Sequence, residues 1–251
     1  MLRILTTLYN ALPFIGKCVE SITEQSVRDW RCYVLNDLST DGSDKLVAQL
    51  AKRDERIVII NHAQKLYQAG AYLHALSCPE IADDDICISV DGDDWLPDEF
   101  VFHRIIQAYA DPKTWLTWGS MLVFQNGSTQ ECDYCKPLAS WDNLRSQNWT
   151  TSHLRTWRAF LFRAINPTDL CDHNGNYWRM AGDMAFMLPM LEMAGPSHAR
   201  FLRDYNYVYN FENPLSDHRV DGALQWEISQ AIRRLPPYKK LERPVTTDVQ
   251  E

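Results

Sequence analysis

Apolar and polar positions alternate over the first hundred residues in a pattern that predicts strands separated by helices. Short apolar runs typical of buried strands are found at 4–9, 31–36, 56–61 and 85–91. Apolar residues spaced three or four positions apart predict helices over 13–25, 44–53, 68–77 and 98–110. This alternation favours an α/β fold, with a mostly parallel sheet covered by helices on both faces. In such sheets, ligands bind beyond the carboxyl ends of the strands.

The pattern of the second half is less regular. An added strand is predicted at 115–124, and a long polar loop at 125–148. Further elements are predicted as helices at 152–165, 182–193 and 222–235 and an aromatic strand at 205–211. Residues 236–251 are polar and contain proline, so we expect a poorly ordered tail.

Composition narrows the function classes. The net charge of −8 leaves no broad basic surface for nucleic acid, so we expect none as a partner. No apolar run is long enough for a transmembrane segment, and the amino terminus lacks a secretory signal pattern. Seven cysteines, an odd number, indicate reduced thiols and a cytoplasmic location. Lys239 and Lys240 could make a peripheral membrane contact, although two lysines are few for that purpose.

The strongest chemical signal is the sequence S-V-D-G-D-D-W at 89–95, which follows a predicted buried strand. Asp91 and Asp93 project to the same side of an extended segment, where two carboxylates repel each other unless a cation lies near them. Magnesium-type sites use one or two carboxylates together with substrate phosphates. Gly92 permits a turn and a close approach by a ligand. The alternative is a solvated turn that leads into a helix.

Other nucleotide and hydrolase motifs do not occur. The chain contains no G-x-x-x-x-G-K-[ST] and no G-x-G-x-x-G, which disfavours a P-loop enzyme or an ordinary dinucleotide-binding fold. It also lacks G-x-S-x-G and H-E-x-x-H.

Three blocks of sequence together resemble inverting glycosyltransferases of family 2, which have the GT-A fold. They are T-T-L-Y-N-A-L-P-F-I-G-K-C-V-E-S-I-T-E-Q-S at 6–26, V-L-N-D-L-S-T-D-G-S at 34–43 and S-V-D-G-D-D-W-L-P-D at 89–98. A looser resemblance continues through 153–158, 181–195 and 207–218. It implies a Rossmann-like GT-A domain whose halves are a nucleotide-sugar-binding part at 1–110 and a less regular acceptor-binding and catalytic part at 111–235, followed by the tail at 236–251.

The resemblance also implies roles for individual residues. Asp93 would bind Mn²⁺ or Mg²⁺ on the donor diphosphate, and His218 would be a second metal ligand or a contact to the diphosphate. Asp183 would be the general base, although Gly182 precedes it where the family usually has Glu. The implied contacts to the nucleotide donor are Thr6, Leu8, Tyr9, Asp37, Gln68, Asp91 and Gly92.

The predicted reaction moves a sugar from a nucleoside diphosphate, with UDP favoured, to a hydroxyl of a glycan acceptor. A divalent ion neutralises the leaving group, and a carboxylate deprotonates the acceptor. Two alternatives remain open: a metal-dependent nucleotidyltransferase or phosphohydrolase, and a binding module that has lost catalysis. The structural role of Asp183 would be a helix N-cap, which is compatible with the role of base.

Overall fold

An eight-stranded sheet forms the centre of the computed structural model, which describes residues 1–242. Its strands are β1 (Leu2–Leu8), β2 (Trp30–Asn36), β3 (Ile57–Asn61), β4 (Ile86–Asp91), β5 (Leu116–Gln125), β6 (Ser128–Glu131), β7 (Arg155–Arg158) and β8 (Ala199–Asn210). The strand order is β3-β2-β1-β4-β7-β5-β6, and β8 pairs with β5. Strands β1 to β4 pair in parallel, whereas β7 is antiparallel to both β4 and β5. The parallel part therefore brings the carboxyl ends of β1, β2 and β4 to one edge.

Helices cover both faces of the sheet. They are α1 (Leu12–Thr23), α2 (Ser43–Ala51), α3 (Tyr67–Leu76), α4 (Val101–Tyr109), α5 (Ala159–Arg163), α6 (Gly182–His198) and α7 (Asp217–Arg234). One buried core lies between the sheet and α1, α2 and α4, and contains Ile15, Val47 and Phe102. A second core lies under α3, α5 and α6, where Tyr72, Trp157, Phe162 and Phe186 pack ring against ring. The predicted α/β architecture with a mostly parallel central sheet is confirmed.

The turn before α2 contains a carboxylate that connects two helices at this edge of the sheet. Asp41 accepts the backbone N–H of Leu12 at 2.8 Å and that of Ser43 at 3.0 Å, so one carboxylate holds the starts of α1 and α2. Carboxylates are favourable at helix amino termini because they satisfy free N–H groups there.

The predicted helix at 152–165 is wrong. Residues 155–158 form β7, and only Ala159–Arg163 is helical. His153, Arg155 and Arg158 therefore do not share a helix. The burial of β7 is the physical reason: Arg155 and His153 are buried although they are polar, so the segment lacks the apolar pattern by which a central strand is usually identified.

Two other predictions need correction. The loop at 125–148 contains β6 and a 3-10 helix at Leu144–Ser146. Residues 236–242 are bound to the body of the protein, since the Tyr238 hydroxyl donates to Asp169 Oδ2 at 2.5 Å and the Tyr238 N–H donates to Glu192. The rest of the predicted tail, 243–251, lies outside the described residues.

Within residues 1–242, none of the helices has the length and apolar character needed to cross a membrane.

Candidate active site

A cavity of about 590 Å³ opens at the carboxyl ends of β1, β2 and β4. It is lined by side chains from both halves of the chain, from β1 to the start of α7. The predicted site residues that line it are Leu8, Tyr9, Asp37, Gln68, Asp91, Asp93, Asp183 and His218. The sequence motifs therefore converge on one space.

Thr6 and Gly92 are not among the lining residues. The Thr6 side chain is buried and its hydroxyl contacts Cys32 Sγ at 3.6 Å, whereas its neighbour Thr7 faces the cavity. The Gly92 N–H donates to the Thr7 carbonyl at 2.9 Å, and a Cβ at position 92 would lie 2.6 Å from that oxygen. The close approach that requires glycine is therefore made by β1 itself.

Asp91 lies at the end of β4 and is held by two donors. The Thr7 hydroxyl donates to its Oδ1 at 3.0 Å, and Gln68 Nε2 donates to the same oxygen at 2.8 Å. Burial, and then the charge of Asp93, raise the pKa of Asp91 to about 6. Its other oxygen lies 3.9 Å from His153 Nε2.

Asp93 and Asp94 differ in how far they are available to a ligand. Both oxygens of Asp94 are engaged, by the Tyr207 hydroxyl at 2.7 Å and by the Asn210 N–H at 2.7 Å, and the residue is fully buried. Asp93 lines the cavity and accepts a side-chain hydrogen bond from Asn213 Nδ2 at 2.6 Å. Burial raises the pKa of both carboxyls. Asp94 therefore links the end of β4 to β8 through hydrogen bonds.

Within residues 1–242, one group of side chains has its ligand atoms close enough together to hold a metal ion. Asp91, Asp94 and His153 each offer an atom within 4.8 Å of the others. Burial and the nearby Arg155 hold the pKa of His153 well below its usual value, so the ring stays neutral and can donate a lone pair. The metal ligands implied by the resemblance, Asp93 and His218, both line the cavity but lie outside this group, and His218 stacks on Phe211.

Asp183, the second residue of α6, is paired with a buried arginine. Arg155 Nη2 lies 2.6 Å from Asp183 Oδ2, and the Arg155 side chain is only 3% exposed. The other oxygen of Asp183 accepts the N–H of Met184 at 2.9 Å. The side chain of Asp183 is 23% exposed and faces the cavity, so a ligand can reach it.

The carboxylate of Asp37 is committed to the start of α3. It accepts the N–H groups of Leu66 and Tyr67 at 2.8 and 2.9 Å, and Lys65 Nζ lies 3.3 Å from it. The side-chain hydrogen bond from His62 and these backbone bonds outweigh burial and lower the pKa of Asp37. The half-exposed Tyr9 ring lies beneath Lys65 Nζ, 3.0 Å from the ring centre. A flat aromatic surface and a cation therefore border the cavity next to Asp37.

Sequence patterns did not identify several residues of the site. Arg155 lies in the segment predicted as a helix and Tyr207 in the predicted aromatic strand, and a buried strand gives no local sign of which of its polar residues take part in a site. Asp217 lines the cavity as well, and burial and Asp183 raise its pKa to about 6. Only its position next to His218 in a segment resembling the family offered a signal for it.

The sequence of this chain matches the model of one protein family. The model of "Glycosyl transferase family 2" matches residues 4–165, more than half of the chain. The relatives include the "Uncharacterized glycosyltransferase EpsJ" of Bacillus subtilis, 35% identical over 25% of this chain and 18% of that protein. Glycosyltransferase GlyA of Streptococcus pneumoniae is 27% identical over 44% of this chain and 16% of its own length.

Two solved structures are similar over nearly the whole chain. S. aureus TarS, in complex with UDP-GlcNAc, has a TM-score of 0.64 at 15% identity and is matched over 92% of this chain and 65% of its own. The mannosyltransferase PcManGT of Pyrobaculum calidifontis, in complex with GDP-Man and Mn²⁺, has a TM-score of 0.62 at 16% identity, over 94% and 65%. These likenesses show the GT-A fold. The chain spans less than a fifth of the two curated relatives and about two thirds of the two solved ones.

Proposed function

This chain belongs to glycosyl transferase family 2, and from that membership we propose that it transfers a sugar from a nucleoside diphosphate to a hydroxyl of a glycan acceptor, with inversion at the anomeric carbon. The observation that carries the proposal is the placement of Asp183 in the same cavity as Asp91 and Asp93. The same cavity thus offers carboxylates for a cation and a carboxylate for a proton.

A divalent ion, Mn²⁺ or Mg²⁺, fits the residues present. Asp91 and Asp93 offer oxygen ligands, and burial raises the pKa of both carboxyls, which a bound cation would offset. We propose Asp93 as a metal ligand with Asp91 beside it; His153 and His218 are the candidate nitrogen ligands. When bound, the ion would neutralise charge on the leaving diphosphate.

In the proposed mechanism Asp183 accepts the proton of the acceptor hydroxyl as that oxygen bonds to the anomeric carbon and the bond to the diphosphate breaks. Arg155 holds Asp183 in place through the 2.6 Å contact and is itself fixed by burial. A bound carboxylate oxygen retains a second lone pair, so the salt bridge leaves Asp183 able to accept a proton.

The nucleoside would bind between Leu8, Tyr9 and the segment at 65–68, with the base near Tyr9 and the ribose near Asp91. Support comes from the exposed Tyr9 ring, which offers a stacking surface, and from the polar edge formed by Asp37 and Lys65. UDP is the favoured nucleotide because of the resemblance at Asp37. The other nucleoside diphosphates are alternatives for the experiment below.

The acceptor would approach along a second cavity of about 760 Å³, which meets the first at Lys65, Tyr67, Trp178 and Arg179. This second cavity runs between the loop at 172–179 and α7, and offers apolar surface from Trp178 and Ile228. Polar groups along the same walls, such as Asn176 and Glu227, suit the hydroxyls of a saccharide.

A cytoplasmic location is proposed from the cysteines, all seven of which are free thiols. Peripheral contact with a membrane through Lys239 and Lys240 is a subordinate proposal; both side chains are exposed.

The experiment that tests the function is a calorimetric titration with UDP, GDP, dTDP and CMP, each with and without Mn²⁺. We expect one nucleotide to bind in a Mn²⁺-dependent manner and Asp93→Asn to abolish that binding. Binding of none of the nucleotides, with or without Mn²⁺, would contradict the proposal.

The role of Asp183 is tested by Asp183→Asn with the matching sugar nucleotide. We expect turnover to fall by about 10²–10⁴-fold, as for loss of a general base, with donor affinity nearly unchanged. Release of pyrophosphate or phosphate instead of nucleoside diphosphate would favour a nucleotidyltransferase or phosphohydrolase. Donor binding without any turnover in the wild type would favour an inactive binding module.

A further inference from the structure

Two cysteines that the proposed reaction does not use lie side by side after β6. The sulfur atoms of Cys132 and Cys135 are 3.4 Å apart. Cys132 is partly exposed, whereas Cys135 is only 6% exposed. We refer to these two residues as the dithiol pair.

The surroundings make the two thiols chemically different. The Cys135 thiol and the backbone N–H groups of Cys135 and Tyr134 donate to Cys132, and they lower the pKa of the Cys132 thiol in spite of its burial. The hydrogen bond to Cys132, together with burial, raises the pKa of Cys135. A partly exposed thiolate next to a protonated, buried thiol is the usual arrangement of a reactive C-x-x-C unit.

The other cysteines offer a contrast. Burial raises the pKa of Cys18, Cys32 and Cys87, which makes them inert packing residues. Cys78 and Cys171 are partly exposed, but burial raises their pKa also. Reactivity toward disulfides is therefore expected at Cys132 first.

We propose that Cys132 and Cys135 form a redox-active site that closes to an intramolecular disulfide by exchange with a low-molecular-weight disulfide of the glutathione type. In the first step the Cys132 thiolate attacks one sulfur of the small disulfide, which breaks its S–S bond and releases one thiolate. In the second step Cys135 loses its proton to water and attacks Cys132 Sγ, which releases the second thiolate. The pair loses two electrons and two protons, and the small disulfide becomes two thiols.

Formation of the mixed disulfide at Cys132 favours the subsequent attack by Cys135. The negative charge of Cys132 is one cause of the raised pKa of Cys135, and that charge disappears when the mixed disulfide forms. The positive charge of Arg155 acts in the opposite direction and lowers the pKa of Cys135. Cys135 thus becomes a better nucleophile at the moment when it is needed.

The dithiol pair is connected to the site through the chain that follows it. Trp118 Nε1 donates to the Lys136 carbonyl at 3.0 Å, and the Lys136 N–H donates to the Thr150 carbonyl at 3.4 Å. Residue 150 leads directly into His153 and Arg155. A disulfide at 132–135 would therefore fix the loop that borders these two side chains.

The test is incubation of the full-length protein in glutathione buffers of increasing disulfide fraction, followed by acid quenching, maleimide labelling and intact mass measurement. We expect the wild type to lose two reactive thiols together, without added glutathione mass, and to recover them with excess reduced glutathione. Peptide mapping should place the bond between Cys132 and Cys135.

Single serine variants separate the roles. Cys135→Ser should accumulate glutathione on Cys132, because no second thiol can displace it, and Cys132→Ser should stay reduced at position 135. Cys78→Ser and Cys171→Ser are matched controls and should behave as the wild type does. The proposal is overturned if the wild type accumulates the mixed disulfide as Cys135→Ser does, or if its two thiols stay reduced in pure oxidised glutathione.

Discussion

The absence of a side chain at Gly182 allows α3 to lie close to the start of α6. A Cβ at this position would lie 3.3 Å from Gln68 Cβ and 3.5 Å from the backbone nitrogen of Ala69, so α3 occupies the space a larger side chain would need. Gln68 in turn donates to Asp91. The absence of the family's usual Glu therefore accompanies a Gln68–Asp91 contact that a longer side chain would disturb.

We expect Gly182→Glu to weaken binding of the nucleoside diphosphate that the titration identifies by about tenfold or more, equivalent to about 1.4 kcal/mol. The reason is displacement of Gln68 from Asp91, and the measurement is calorimetry with Mn²⁺. Gly222→Glu is the control, since nothing lies within 4 Å of a Cβ there, and it should bind as the wild type does. Tighter binding or faster turnover in Gly182→Glu would contradict this role of glycine.

Asp91 makes the stability of the metal-free protein depend on pH. Its pKa in the folded protein is about 6, above the value of about 3.9 in an unfolded chain, so the folded state binds the proton more tightly. The contribution is thus fully favourable below about pH 4 and is lost as the pH rises through about 6.

Asp91→Asn removes this dependence. Relative to the wild type, we expect its free energy of unfolding to rise by on the order of 2 kcal/mol between pH 4 and pH 7, measured by urea denaturation in EDTA. If the difference in free energy of unfolding between Asp91→Asn and the wild type does not change with pH, the carboxyl of Asp91 is not the source of the pH dependence.

At the scale of elements, α3 is held by close contact between a helix and an aromatic ring. A Cβ on Gly70 would lie 2.6 Å from the Tyr177 ring, so α3 can approach the loop at 172–179 only because this position is glycine. This contact places Tyr67 and Trp178 at the border of the two cavities.

We expect Gly70→Ala to lower the free energy of unfolding by about 1–3 kcal/mol, the usual cost of overpacking. The matched substitution on α1, Gly16→Ala, meets only Leu46 Cδ2 at 3.8 Å and should instead raise stability by about 0.5–1 kcal/mol through helix propensity. Chemical denaturation of both variants measures the contrast. Equal effects at the two positions would mean that the Tyr177 contact does not matter.

Elements also show where sequence reasoning succeeds. The β1, β2 and β4 segments are predicted because their apolar runs and following polar residues are local signals. The β7 segment is missed because its Arg155 is buried by an ion pair with Asp183, which is 28 positions away in the sequence. Such a partner is visible only after folding, so the countercharge of the site could not be deduced from local pattern.

At the scale of the whole molecule, the segment at 236–242 ties the second core to the end of the described chain. The Tyr238 hydroxyl donates to Asp169 and accepts the Asn166 N–H at 2.9 Å, and the Leu241 N–H donates to Met193. Its polar, proline-containing composition predicted disorder, because these hydrogen bonds depend on a distant surface.

We expect Tyr238→Phe to reduce the free energy of unfolding by about 1 kcal/mol, since two hydrogen bonds to one hydroxyl are lost. Nucleotide binding with Mn²⁺ should be unchanged, because Tyr238 does not line either cavity. Urea denaturation and calorimetry on the same preparation give the two values. Weakened nucleotide binding would link this segment to the site and contradict the expectation.

The charge balance of the first cavity has a kinetic consequence. Six aspartates line it, against Lys65, Arg155 and Arg179, and both Lys65 and Arg155 are already paired with carboxylates. With these carboxylates ionised, an approaching diphosphate would be repelled until a cation bound at the end of β4 reversed the local field. Substrate association would then follow a compulsory order, cation first and nucleotide second, with rates of nucleotide capture that saturate in cation concentration. When divalent ions are scarce, their concentration, and not that of the sugar nucleotide, would limit nucleotide binding.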